Sequence, residues 1–129
     1  MYELTVKTHF AAAHSIQGYD GPCASLHGHT WLVEVVVIGL QLDRMGMLVD
    51  FKEIKAHLNS VIEELDHRTL NDLEPFQQGG EESPTAENLA RYIFRRLKQQ
   101  VEVSGRGVKI DLVRVWESPD ASAAYREVD

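Results

Sequence analysis

His27 and His29 are separated by a single glycine, and Cys23 stands four residues upstream of His27. Side chains two apart on a strand project from the same face. The residues that follow, Thr30 to Ile38, are β-branched and aromatic in the manner of a strand. Two imidazoles opening such a strand reach one metal ion together. On its own, His-x-His is equally read as a loop with idle histidines, so a third ligand decides the matter. The N-terminal segment offers one. Tyr2, Leu4, Val6, Thr8, Phe10 and Ala12 form the mostly apolar set of an alternating strand, and His14 has their parity. His27 and His29 share parity with Trp31, Val33, Val35 and Val37. Three histidines are thus expected on core-facing rows at the ends of two adjacent strands, unless a β-bulge reverses the phase. Three imidazoles plus an open position describe a catalytic zinc site. His9 falls on the opposite parity and reads as an ordinary strand residue.

The elements that must position these groups come from a chain of 129 residues, enough for one domain, 1–129, with its own core. Hydrophobic residues at 43% and charged residues at 26% match a soluble globular protein. No apolar run approaches a membrane span, and the N-terminus lacks a charged-then-apolar signal pattern, so a cytoplasmic enzyme is expected. A single cysteine rules out an internal disulfide, leaving Cys23 as inert packing or a working thiol. Its neighbours Gly18, Tyr19, Asp20, Gly21 and Pro22 are loop formers, which argues against burial. The formal charge of -7 argues against nucleic acid and anionic membranes as partners. An anionic small substrate remains open, because local cations and a metal can outweigh the global balance.

Asp50 and Glu53 form a capping pattern that starts a helix with the stripe Phe51, Ile54, Leu58, Val61, Ile62 and Leu65. Asp66-His67 follows. An acid beside an imidazole can orient it and raise its basicity, and the spacing equally fits a helix C-terminal histidine favoured by the macrodipole. A polar loop, Gln77 to Glu82, leads to a second helix capped by Ser83 or Thr85. Its stripe is Ala86, Leu89, Ala90, Ile93, Leu97 and Val101, and Arg91, Arg95, Arg96 and Lys98 read as a solvated face. Glu87 in the first turn is explained by the helix dipole. Ser104 to Gly107 breaks this helix. A third strand runs from Val108 to Trp116 and ends in Glu117, which either reaches into a site or is simply exposed. A short fourth strand spans Ala121 to Val128. Strand, strand, helix, helix, strand, strand predicts an α+β antiparallel sheet with both helices on one face. Val35 to Ile38 is apolar on both parities, so its outer face calls for cover from other subunits.

Taken in order, these stretches resemble the 6-pyruvoyl-tetrahydropterin synthase / 6-carboxy-tetrahydropterin synthase family over nearly the whole chain. The matching segments are Ala12 to His14, Cys23 to His29, Gly46 to Phe51, Leu65 to His67, Leu70 to Asp72, Pro84 to Asn88, and Glu117. The resemblance implies the T-fold, a four-stranded antiparallel sheet with two helices. It also implies a homohexamer, a dimer of trimers, whose subunits join into a barrel with active sites at the interfaces. It implies zinc held by His14, His27 and His29, with Cys23 as the proton-abstracting thiolate. Asp66 and His67 resemble the acid–imidazole pair that works with that thiol, across a subunit boundary. Glu117 resembles the carboxylate that grips the pterin's amino and ring N–H groups and joins the proton relay, and Glu87 and Thr85 help to hold the pterin.

The short Cys23-to-His27 spacer resembles the carboxy-forming branch, which feeds synthesis of queuosine and other 7-deazaguanines. That branch implies 7,8-dihydroneopterin triphosphate as substrate; pyruvoyl-forming chemistry on the same substrate and a non-catalytic pterin- or zinc-binding protein are the alternatives. Two features depart from the usual pattern: the Ser118-Pro119-Asp120 turn and the length of the Gln77–Glu82 loop.

Overall fold

The computed structural model describes residues 1–77, 82–102 and 107–128. Two long strands, β1 (Tyr2–His14) and β2 (His27–Gly39), pair antiparallel along their full length, with His14 opposite His27 and Ala12 opposite His29. Helix α1 (Phe51–Glu63) follows, then a two-residue strand β3 (Arg68–Thr69), helix α2 (Ala86–Val101), and strands β4 (Lys109–Ser118) and β5 (Ala121–Tyr125). The sheet order is β3-β1-β2-β4-β5.

The expected four antiparallel strands are present, and a fifth is added. β3 pairs parallel with Ala12 and Ala13 on the outer edge of β1. Two residues are too short to show period-2 patterning, so no sequence signal marks β3. Its cause is local. The Asp66 carboxylate accepts from the Ala11 N–H at 2.9 Å, and the His67 N–H donates to the Ala11 carbonyl at 2.6 Å. This clip holds His67 at φ 59°, a left-handed conformation unusual for a residue other than glycine, and lays the next two residues along β1. The final strand also ends sooner than expected, at Tyr125 rather than Val128.

Alternation places Val6, Phe10, Ala12 and His14 of β1 and Trp31, Val33, Val35 and Val37 of β2 on one buried face. Both helices pack on it, α1 against β1 and α2 against β4 and β5. Asp50 caps α1, accepting from the Lys52 N–H at 2.9 Å, and Thr85, not Ser83, caps α2 through the Asn88 N–H at 3.1 Å. The α2 stripe is buried as expected, with Phe94 added to it. Phe51, assigned to the α1 stripe, is instead about half exposed at 49%, because the first helical residue overhangs the core.

The basic face of α2 is not simply solvated. Arg91 pairs with Glu82, Arg96 with Glu64 and Lys98 with Glu127. Glu64 also accepts from the Tyr92 hydroxyl at 2.9 Å, so α2 is tied to the end of α1. Residues 78–81 of the polar loop and 104–106 of the helix breaker lie outside the described residues.

On the sheet face turned away from the helices, Leu32, Glu34, Val36, Leu112, Arg114 and Trp116 are only half-buried. The two-sided apolar pattern of β2 is therefore left uncovered by this chain.

Candidate metal centre and surrounding site

Register brings the three histidines together. His14 ends β1, His27 and His29 open β2, and all share the core-facing row. Their ring centroids lie 4.6 Å (His14–His27), 5.1 Å (His14–His29) and 4.8 Å (His27–His29) apart. The rings are tilted at 59° to 89°, so they meet at their edges and do not stack. Trp31, two residues further along β2 and fully buried, packs edge-on against both His14 and His29 and stacks on Phe10. Its indole N–H donates to the Ala12 carbonyl at 3.2 Å, which locks the ring as the floor of the site.

Hydrogen bonds fix which nitrogen of two histidines faces the centre. His14 Nδ1 lies 2.7 Å from the Pro84 carbonyl, and His27 Nδ1 lies 2.7 Å from the Ser25 carbonyl. A carbonyl only accepts, so Nδ1 carries the proton and donates. Nε2 of each ring then presents a lone pair. This is the outer-shell arrangement that orients metal-bound imidazoles.

His14 is 2% exposed, and its Nε2 has no hydrogen-bond partner. Leaving such an atom unpaired costs about 1–3 kcal/mol, and a bound cation removes that cost. One ligand atom from each of His14, His27, His29 and Glu117 lies within 4.8 Å of the others. Donors at about 2.0–2.1 Å from zinc in a tetrahedron stand about 3.4 Å apart, so movements of about an ångström complete the shell. The donor set fits a divalent cation of the zinc type.

The fourth member of this group, Glu117, was expected to hold substrate rather than to stand among the metal ligands. Its Oε1 is 3.0 Å from His29 Nε2 and 3.9 Å from His14 Nε2. The pairing between β4 and β5 slips between Trp116 and Ser118, so Glu117 occupies a bulge. Bulges re-aim a side chain, and periodicity does not reveal them. Pro84, Ser25 and Trp31 were likewise not marked as part of the site. Two of them act through carbonyls, which side-chain chemistry cannot signal; parity alone pointed to Trp31.

The other candidate residues stand outside the ligand group. Cys23 lies half-buried in a single 3₁₀ turn, Pro22–Ala24. Its carbonyl accepts from the Ile16 N–H at 2.7 Å, closing the neck of the loop that links His14 to His27. Asn71 secures the base of that loop, with its amide bonded both ways to the Ser15 backbone at 2.9 Å. The Asp66–His67 pair is formed, with Oδ2 3.0 Å from Nδ1, but the His67 side chain is 81% exposed and faces away from its own chain's core. The Ala11 N–H, and then His67, hold the Asp66 carboxyl below the usual carboxylate range. The Thr85 hydroxyl is engaged as the α2 cap. Glu87 is exposed and lines, with Glu117 and Ser122, a cavity of about 280 Å³.

Burial lowers the His14 pKa below its ordinary 6.5, with the neighbouring His27 adding to the effect and the Pro84 carbonyl opposing it. The unfolded chain therefore binds a proton at His14 that the folded protein refuses. Stability then rises with pH across that interval. The metal-free protein is expected to hold its stability above pH 6.5 and to lose it as pH falls through the lowered folded value. Urea midpoints of the zinc-free protein at pH 7.5 and 5.5 check this; equal midpoints contradict it.

Fold and site together define an α+β T-fold protein with a histidine–carboxylate cluster fit for a metal ion at one end of its sheet. Residues 3–128 match the model of the 6-pyruvoyl tetrahydropterin synthase family, and the chain belongs to that family. The 6-carboxy-5,6,7,8-tetrahydropterin synthase of Synechocystis sp. is 39% identical over 121 residues, covering 90% of this chain and 86% of that one. The dihydroneopterin monophosphate aldolase of Pyrococcus furiosus is 33% identical over 114 residues, covering 88% of each chain. The structure of Caenorhabditis elegans 6-pyruvoyl tetrahydropterin synthase matches with a TM-score of 0.84 at 26% identity, covering 98% of this chain and 96% of that one.

Proposed function

We propose that this chain, as one domain spanning 1–129, is a zinc-dependent 6-carboxy-5,6,7,8-tetrahydropterin synthase, a lyase. With one water as co-reactant, it converts 7,8-dihydroneopterin triphosphate to 6-carboxy-tetrahydropterin, acetaldehyde and triphosphate. The carrying observation is the convergence of His14, His27 and His29 with the Nδ1 atoms of His14 and His27 tied to backbone carbonyls. The three-residue spacer between Cys23 and His27, and the 39% identity to a synthase of that name, support the carboxy-forming branch.

His14, His27 and His29 would hold the zinc, which when bound would supply Lewis acidity that makes a C–H of the substrate side chain easier to deprotonate. Cys23, on its tethered loop, takes that proton as general base. Glu117 accepts from the pterin's amino and ring N–H groups and orients the ring, with Glu87 and Thr85 at the edge of the pocket. Asp66 holds His67 in one tautomer, and His67 carries a proton for the thiol of a neighbouring subunit. Its 81% exposure supports work outside its own chain. The half-buried outer face of β2 supports a homohexamer, a dimer of trimers closing a barrel. No described helix is long and apolar enough to cross a membrane; the enzyme is read as cytoplasmic, serving 7-deazaguanine and queuosine synthesis.

Product analysis tests the reading. Incubation with 7,8-dihydroneopterin triphosphate is expected to yield acetaldehyde and the 6-carboxy product in equal amounts. A pyruvoyl product without acetaldehyde selects the sister synthase activity. Turnover of dihydroneopterin monophosphate but not of the triphosphate selects an activity like that of the Pyrococcus furiosus relative.

A further inference from the structure

Glu117 stands where three spaces meet. One is the histidine cluster. The second is the cavity of about 280 Å³ shared with Glu87 and Ser122. The third is a cavity of about 780 Å³ on the open sheet side, bounded by Lys7, Thr30, Trp116 and Pro119.

We propose that Glu117 is a displaceable fourth ligand: its carboxylate closes the metal centre of the empty enzyme and leaves it for the pterin, so the open coordination position arises only with substrate in place. The proposal rests on the reading above in which Glu117 anchors the pterin.

Three observations carry it. First, the 3.0 Å approach of Glu117 Oε1 to His29 Nε2 lacks the alignment of a hydrogen bond, and that nitrogen has no hydrogen-bond partner. A carboxylate facing the lone pairs of His14 and His27 is repelled unless a cation lies between them. Second, among the described residues no N–H or O–H group donates a hydrogen bond to the Glu117 carboxylate. Glu64, by contrast, is gripped by both Tyr92 and Arg96. The Glu117 side chain, 33% exposed on a bulge, thus touches only the histidine cluster among charged partners and has room to turn into either cavity. Third, a pterin edge presents two parallel N–H donors, which a carboxylate meets with both oxygens. Both oxygens then face the ring, and neither remains for the metal. The two engagements exclude one another.

Linkage makes this measurable. If zinc and pterin compete for one carboxylate, each weakens the other by the same factor. Loss of even an outer-shell partner costs about 10–100-fold in metal affinity, and at least that is expected here. The probe is a pterin without a 6-substituent, which engages the carboxylate but has no hydroxyl to offer the metal. By fluorescence titration it is expected to bind zinc-free protein 10-fold or more tighter than zinc-loaded protein. In the Co²⁺-loaded protein, adding it is expected to change the visible d–d absorption. Glu117→Gln, isosteric and partly exposed, is expected to bind Co²⁺ at least 10-fold more weakly and to show a spectrum that pterin does not move.

Equal pterin affinity with and without zinc, or a wild-type Co²⁺ spectrum unmoved by saturating pterin, overturns the exchange. So does undiminished Co²⁺ affinity in E117Q, and that result leaves the anchor role standing if the variant still loses pterin. Undiminished pterin affinity in zinc-free E117Q instead removes the anchor, and the exchange with it.

Discussion

His27→Ala is expected to empty the metal centre while leaving the fold in place. His27 is the first residue of β2 and is only partly buried, so its ring contributes little to the core built from Phe10, Trp31 and the helix stripes. Its Nδ1 bond to the Ser25 carbonyl presents Nε2 to the cluster, and among the described residues no histidine or cysteine beyond His14 and His29 belongs to the ligand group to replace it. Outer-shell losses already cost about 10–100-fold in metal affinity, so loss of a direct ligand is expected to exceed about 100-fold. After dialysis at micromolar protein, elemental analysis should find well under one zinc per chain, with an unchanged circular dichroism spectrum. Turnover should vanish with the metal. A variant that keeps stoichiometric zinc would remove His27 from the ligand set.

Cys23→Ala is expected to do the reverse: keep the zinc and lose the reaction. Cys23 stands outside the ligand group, so metal content should match the wild type. Its loop is anchored by backbone groups, through the Ile16 N–H and the Asn71 amide, and none of those bonds uses the thiol. Loss of a positioned base typically costs about 10²–10⁴-fold. The expected result is a fall in kcat of that size with zinc at one per chain. Full activity in this variant would end the assignment of Cys23 as base. Together the two variants separate holding the metal from moving the proton.

Much of the site is legible because strand periodicity is a strict rule. Parity alone put His14, His27 and His29 on one row, and the register of β1 with β2 realises that row with His14 facing His27. The helix stripes and the Asp50 cap are equally local signals. Asp66-His67 shows where local signals stop. Its spacing fits a helix-end histidine, yet the pair forms a clip on β1, with His67 in a left-handed conformation and a parallel strand laid down after it. Nothing in the chain near residue 66 states that Ala11 lies alongside.

By itself, then, the amino-acid order determined which residues alternate, which faces are apolar, and that each of three imidazoles falls on the core-facing row of its own strand, since each depends on neighbours two to four residues apart. Only the tertiary structure decided that Pro84 orients His14 from 70 residues away, that Asn71 clamps the Cys23 loop from 56 residues away, and that a bulge turns Glu117 onto His29. Those relations run through backbone carbonyls and a slipped register. Neither leaves a periodic trace, because both are set by how distant strands and helices meet.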